Sequence, residues 1–201
     1  KIGIHEGQQV LDVACGVGNW LLACKQLGAS TSGVDLSGRA IDACKSVMPE
    51  GDFHTGPAET LPFDAERFDV VSCLGSLEHF VDPEKALKEM LRVAKDNATF
   101  LLLVPNADFL TRRLGFFSGT NQLDAKEEAR TLNEWNRLFE DAGLFVDKRW
   151  RDLHVLSWSW ISAKGWVAIP LRLAHALVLP VWPLSWQYQV YHLCQSAEHQ
   201  I

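Results

Sequence analysis

The sequence predicts an α/β fold, a doubly wound and mostly parallel sheet with helices on both faces. Short apolar runs alternate with stretches of helical spacing over the first 150 positions, the pattern of strands buried beneath crossover helices. The first run, Gln9–Ala14, stops at the glycine pair Gly16 and Gly18 and gives way to helical spacing from Trp20 to Leu27. With 201 residues, 47% of them hydrophobic, the chain is long enough for one domain with a sizeable core.

Strand, glycine turn and helix together make a place for a nucleotide-like cofactor. Glycines allow otherwise strained backbone angles and close approach of a ligand, and the helix start offers unpaired N–H groups. The dinucleotide fingerprint G-x-G-x-x-G needs a third glycine for helix packing, and here that position is Leu21. Asp12, just ahead of the turn, would oppose a pyrophosphate but suit an amino group or a sulfonium. The alternative role for Asp12 is to satisfy backbone groups of the turn.

Ser30–Asp35 reads as the second strand. Asp35 lies 17 positions beyond Gly18, near the ~20-residue interval at which an acid meets a ribose hydroxyl pair. It reads equally as the N-cap of a helix over Gly38–Val47. A third strand is expected at Asp52–Thr55, followed by the turn-rich loop Gly56–Phe63. Phe68–Cys73 has the unbroken apolar character of a buried parallel strand, and Leu77-Glu78-His79 follows its end. Pro83–Ala94 carries Ala86, Leu87, Met90, Leu91 and Ala94 on one helical face, with proline at the first helical position. A turn over Lys95–Ala98 should lead into a fifth strand, Thr99–Val104. Asn133–Ala142 reads as a helix ended by Gly143, and Leu144–Trp150 as a sixth strand.

In this order the residues resemble the class I S-adenosylmethionine-dependent methyltransferases, in the small-molecule branch that includes the quinone C-methyltransferases. Val10–Asn19 is similar to the first motif of that family, Gly33–Ser37 to its ribose motif, Gly56–Phe63 to its adenine loop, and Phe68–Pro83 to its fourth strand with the Leu-Glu-His turn. The resemblance covers the first 105 residues. It implies a Rossmann-like fold, S-adenosylmethionine as cofactor, and a cofactor site drawn from Asp12, Ala14, Gly16, Gly18, Asp35, Leu36, Pro57, Ala58, Glu59 and Gly75. Within it, Asp12, Gly16 and Gly18 line the methionine end, Asp35 meets the ribose, and the Ala58 backbone reaches adenine. Pro57 stands where the family usually places an acid that accepts from the adenine amine, and Glu59 is either its substitute or a surface residue. The family's pocket-closing N-terminal helix would have to precede Lys1.

Methyl transfer from a sulfonium is an in-line displacement, and a base is needed only when the acceptor must lose a proton. His79 is the leading candidate, since it follows the fourth strand and titrates near neutrality; the alternative is a structural histidine that holds the turn. Glu78 and His154 are weaker candidates. Glu78, Asn106 and Asp108 carry oxygen atoms, yet their spacing has no metal signature. Five scattered cysteines with no C-x-x-C pair, and no leader pattern at Lys1, lead us to expect a reduced, cytoplasmic setting and no metal. The net charge of −6 argues against a nucleic acid held on a broad basic surface and favours a small-molecule acceptor.

Beyond the fifth strand, Asp108–Thr120 interleaves Phe109, Leu110, Leu114, Phe116 and Phe117 with Arg112 and Arg113. It reads as a substrate lid within an insertion at 107–127, or as an ordinary helix packed by its aromatics. Residues 151–201 hold Trp158, Trp160, Trp166, Trp182 and Trp186 but only three basic and two acidic residues. We expect a C-terminal helical, Trp-rich cap on the core formed by residues 1–150. A face over 151–194 that touches a membrane surface or a lipid-linked substrate is the alternative; Pro180 and Pro183 interrupt the run and argue against a span. Two other classes share these features: an NAD-dependent oxidoreductase, which must account for Asp12 and the missing third glycine, and a non-catalytic cofactor-binding module.

Overall fold

The computed structural model describes residues 2–115, 130–153, 169–170, 173, 177 and 182–197. Among these, seven strands form one sheet. In chain order the elements are β1 (Gln9–Val13), α1 (Asn19–Gln26), β2 (Ser30–Asp35), α2 (Gly38–Val47), β3 (Asp52–Thr55), β4 (Phe68–Leu74), α3 (Pro83–Val93), β5 (Ala94–Pro105), α4 (Leu110–Arg113), α5 (Leu132–Ala142), β6 (Leu144–Arg151) and β7 (Gln189–Ser196). The sheet order is β3-β2-β1-β4-β5-β7-β6. β7 runs antiparallel to both its neighbours, and the pairs from β3 to β5 are parallel. The order reverses between β1 and β4, so a crevice opens there beyond the strand C-termini.

Strand alternation divides the core into two layers. Leu11 and Val13 join Val71, Leu87, Met90 and Phe139 on the side of α3 and α5. Val10 joins Leu21, Ile41, Met48 and Phe53 on the side of α1 and α2. The helix ends follow from local chemistry. Asp82 caps α3 by accepting from the Lys85 amide at 3.0 Å, with Pro83 in the first turn. Thr131 and Glu134 form a capping box at the start of α5, and Gly143, at φ 96°, ends it, each worth about 1 kcal/mol by its satisfied end groups.

Two expectations need correction. No turn separates α3 from the fifth strand: Ala94 leaves the helix in an extended conformation and pairs with Phe68, so β5 begins at Ala94 rather than Thr99. The ion pair of Lys95 with Asp69 at 2.7 Å fastens this early part of the strand. The helical cap expected over 151–201 gives way, at its end, to a sheet strand. In β7, Val190, His192 and Cys194 are buried while the residues between them are half-exposed, a period of two that places one face on the core. Trp158, Trp160, Trp166 and His154, and Phe116 and Phe117 of the expected lid, lie outside the described residues. All five cysteines are free and buried, and among the described residues no helix is long and apolar enough to cross a membrane.

Candidate cofactor and active site

The turn after β1 is built from three left-handed residues in five: Ala14 at φ 61°, Gly16 at φ 51° and Gly18 at φ 77°. A left-handed alanine is uncommon, and such strain gathers at functional sites. The two glycines serve different ends. A Cβ on Gly18 would stand 2.8 Å from Met48 Cε and 2.9 Å from Cys44 Sγ, whereas one on Gly16 would meet nothing within 4 Å. Gly18 permits packing of the turn on α2, and Gly16 borders open space.

Asp35 crosses to that turn. Its Oδ2 accepts from the Gly16 amide and its Oδ1 from the Ser37 amide, both at 2.8 Å. Ser37, not Asp35, caps α2, accepting from the Ala40 amide at 3.3 Å. Each carboxylate oxygen keeps a further lone pair for a ligand hydroxyl. Leu36 beside it is 75% exposed, a large apolar surface next to the Asp35 carboxylate.

Asp12 lies beneath the turn, 3% exposed. Burial pushes its carboxyl up to about 7; the bond from Ser72 lowers it and the charge of Asp35 raises it. Ser72 Oγ stands 2.6 Å from Asp12 Oδ1 and 3.2 Å from the Leu11 carbonyl. One hydroxyl hydrogen serves one of these acceptors, so an ionised Asp12 accepts from Ser72, while a neutral Asp12 donates to it and Ser72 turns to Leu11. The signal for Ser72 in the sequence is a lone hydroxyl within the apolar run Val70–Cys73.

Among the described residues, no Lys, Arg or His forms an ion pair with Asp12 or Asp35. Two carboxylates without a protein cation, an open glycine turn and an exposed leucine suit a ligand that brings positive charge, vicinal hydroxyls and a flat apolar ring. S-adenosylmethionine has all three.

The loop Gly56–Phe63 is held from both sides. The Gly56 amide donates to the Asp35 carbonyl at 3.0 Å. Ala58, Leu61 and Phe63 are buried, and Pro57 accepts from the Thr60 amide at 3.4 Å. From α3, Glu89 accepts from the Leu61 amide, and the Arg92 guanidinium donates to the carbonyls of Leu61 and Phe63. Glu59 Oε1 accepts from the amides of Val81 and Asp82, at 3.1 and 3.2 Å, and so ties the loop to the start of α3.

Gly75, at φ 73°, ends β4 and donates its amide to the Leu103 carbonyl at 2.9 Å. The 3-10 turn Leu77–His79 follows. Glu78 is 5% exposed. His79 Nε2 stands 3.9 Å from Glu78 Oε1, an ion-pair distance beyond hydrogen-bond reach. Nδ1 is enclosed and has no hydrogen-bond partner among the described residues. No hydrogen bond there joins His79 to Asp12 or Asp35. Asn106 donates to the carbonyls of Ser185 and Gln187 and accepts from the Asp108 amide, a loop-holding role. Among the described residues, no group of three or more His, Cys, Asp or Glu is placed to hold a metal.

Residues 11–102 match the methyltransferase domain family. The chain is 30% identical over 168 residues to the methyltransferase YcgJ of Bacillus subtilis, an alignment covering 78% of this chain and 65% of that one. It is 32% identical over 108 residues to the ubiquinone biosynthesis O-methyltransferase of Coxiella burnetii, covering 52% of this chain and 46% of that one. The chain thus spans less than two thirds of the length of these relatives. Among solved structures, the complex of the Haloferax volcanii Trm112 activator with its methyltransferase contains a similar fold, with a TM-score of 0.73, 20% identity, and coverage of 100% of this chain and 87% of that one. The strand order and the acid-flanked glycine turn agree with this match, and residues 11–102 carry a domain similar to the methyltransferase domain family.

Proposed function

We propose that this chain transfers a methyl group from S-adenosylmethionine to a small-molecule acceptor that is apolar or lipid-linked. The observation that carries the reading is the pair of carboxylates, Asp12 and Asp35, around an open glycine turn, with no cation paired to either among the described residues. The bound cofactor supplies an electrophilic methyl group on a sulfonium. Asp12 draws the cationic end toward the end of β1, Asp35 takes the ribose hydroxyls, and Leu36 and the Ala58 backbone flank the adenine. Pro57, Glu59 and Gly75 shape the rim. Holding donor and acceptor at about 3 to 3.5 Å without intervening water supplies much of the rate. His79 receives a proton when the acceptor is an O–H or N–H compound.

The apolar character of the acceptor rests on the aromatics around the C-terminal edge of the sheet. The rings of Trp182 and Trp186 meet edge to face at 5.8 Å, and Trp186 is 38% exposed; such surfaces favour large apolar ligands. The stretch 151–194 would reach the membrane surface that delivers a lipid-linked compound. The relative named for ubiquinone biosynthesis supports an acceptor of the quinone class. Calorimetry with S-adenosylmethionine tests the first half, with saturable binding expected. A panel of quinones, polyprenyl lipids, sugars and small amines tests the second, and methylation confined to sugars and amines would overturn it.

A further inference from the structure

A cavity of about 310 Å³ is lined by Asp108 behind β5, Thr131 and Asn133 at the start of α5, Arg149 of β6, and Leu184 and Ser185 ahead of β7. Pro105 pairs with Gln189, and Arg151 with Val190. The cavity therefore lies at the C-terminal ends of β5 and β6, the edge of the sheet on which β1 and β4 also end. An acceptor enters a doubly wound fold from that edge.

Arg149 is the cationic group in the lining of this cavity. Its Nη2 donates to Asn136 Oδ1. Its Nε is enclosed with no acceptor, and no ion pair holds the guanidinium among the described residues. The acids near it keep their charge, but none pairs with Arg149 among the described residues. His192, its partner across the β6–β7 ladder, is kept neutral by burial and by Arg149 itself, its pKa pushed down to about 3. Glu140 is taken up by Asn136 Nδ2 at 2.5 Å. Glu134 is bound into the capping box with Thr131. Asp108 is the lining acid, and it is exposed. Asn133 and Ser185 add neutral polar groups, and Leu184 adds an apolar wall.

We propose that this cavity seats the carboxylate of an acceptor with an apolar body, with Arg149 gripping the carboxylate. The guanidinium matches a carboxylate in shape and charge, and the volume suits a small aromatic acid or the head of a longer amphiphile. Only the word acceptor rests on the methyltransferase reading; the anion seat stands apart from it.

The test uses benzoate as probe and benzamide as its neutral counterpart, with binding followed by calorimetry in the absence of cofactor. Benzoate should bind saturably to the native chain and benzamide should not. Arg149→Met should weaken benzoate at least about tenfold, the scale of a lost hydrogen bond to a charged group. Because that variant also loses the contact with Asn136, a second one keeps the test sound. Asn133→Asp places a carboxylate in the cavity at a helix position that favours acids, and it should weaken benzoate equally while the melting temperature holds. Equal binding of benzoate and benzamide, no benzoate binding at all, or native benzoate affinity in Asn133→Asp would overturn the proposal. Failure of the native chain to bind S-adenosylmethionine would sink the methyltransferase reading and leave the benzoate result standing.

Discussion

The Asp35 carboxylate at the end of β2 accepts the Gly16 amide of the β1 turn at 2.8 Å. One side chain thereby shapes the turn, and in the proposed function it also takes the ribose hydroxyls. Asp35→Ala should weaken S-adenosylmethionine by about 1 to 3 kcal/mol, the scale of hydrogen bonds to a charged group. Asp35→Asn keeps one oxygen acceptor and should fall between native and alanine. Unchanged affinity in the alanine variant, measured by calorimetry, would refute the ribose assignment.

The two glycines of the turn should respond differently to alanine. At Gly18 the new methyl group meets Met48 and Cys44 at under 3.0 Å, at a φ of 77°. Gly18→Ala should cost about 1 to 3 kcal/mol of stability through overpacking and backbone strain. At Gly16 nothing stands within 4 Å, so Gly16→Ala should cost about 1 kcal/mol, from the left-handed angle alone, yet lose most of its cofactor affinity. Chemical denaturation and calorimetry on both variants decide it; a Gly16→Ala protein that binds normally would show that the open space is not the cofactor's.

Asp12 makes stability depend on pH in an unusual direction. Its carboxyl titrates at 3.8 in the ordinary state and at about 7 in the fold, chiefly through burial. Between those values the folded chain holds a proton that the unfolded chain has released, so this contribution is full below about pH 4 and is lost as pH rises to about 7. Asp12→Asn should remove the slope and gain relative to the native protein above pH 7. A bound cation favours the carboxylate, so S-adenosylmethionine affinity should climb with pH up to about 7. Denaturation midpoints at pH 5 and pH 8 check the first statement: an identical difference in both proteins would assign the slope to other groups.

His79→Ala should lower kcat by about 10² to 10⁴ for an acceptor that must lose a proton, the usual yield of general base catalysis, and leave cofactor binding intact. Turnover followed from pH 6 to pH 9 distinguishes this from a turn-holding role. If kcat is unchanged across that range, positioning alone accounts for the reaction.

Much of this site was legible because its residues sit at fixed places relative to strands. Asp12 precedes the glycine turn, Asp35 closes the second strand, and local hydrophobic pattern is enough to find both ends. What escaped depends on contacts distant in sequence. Ser72 comes to Asp12 across 60 positions, and the cavity around Arg149 gathers residues from 106 to 185. The sequence leaves two roles open for Asp35, and the N-cap role falls to Ser37 two residues later. β7 was hidden because Leu173–Ala197 carries no Lys, Arg, Asp or Glu; its outward positions are Tyr191, Leu193 and two glutamines, so alternation of burial leaves little trace in polarity.

The place of β7 between β5 and β6 also sets an order of assembly. On the ribosome, residues 144–151 emerge well before 189–196, and among the described residues β7 is the one sheet neighbour of β6. β6 therefore lacks this neighbour while 37 further residues are made, and β7 must then insert between two strands already synthesised. Such a long-range insertion is slow relative to local pairing and leaves strand edges open to other chains in the meantime. A nascent chain stalled before Gln189 would carry the whole acid-flanked turn and an unfinished sheet.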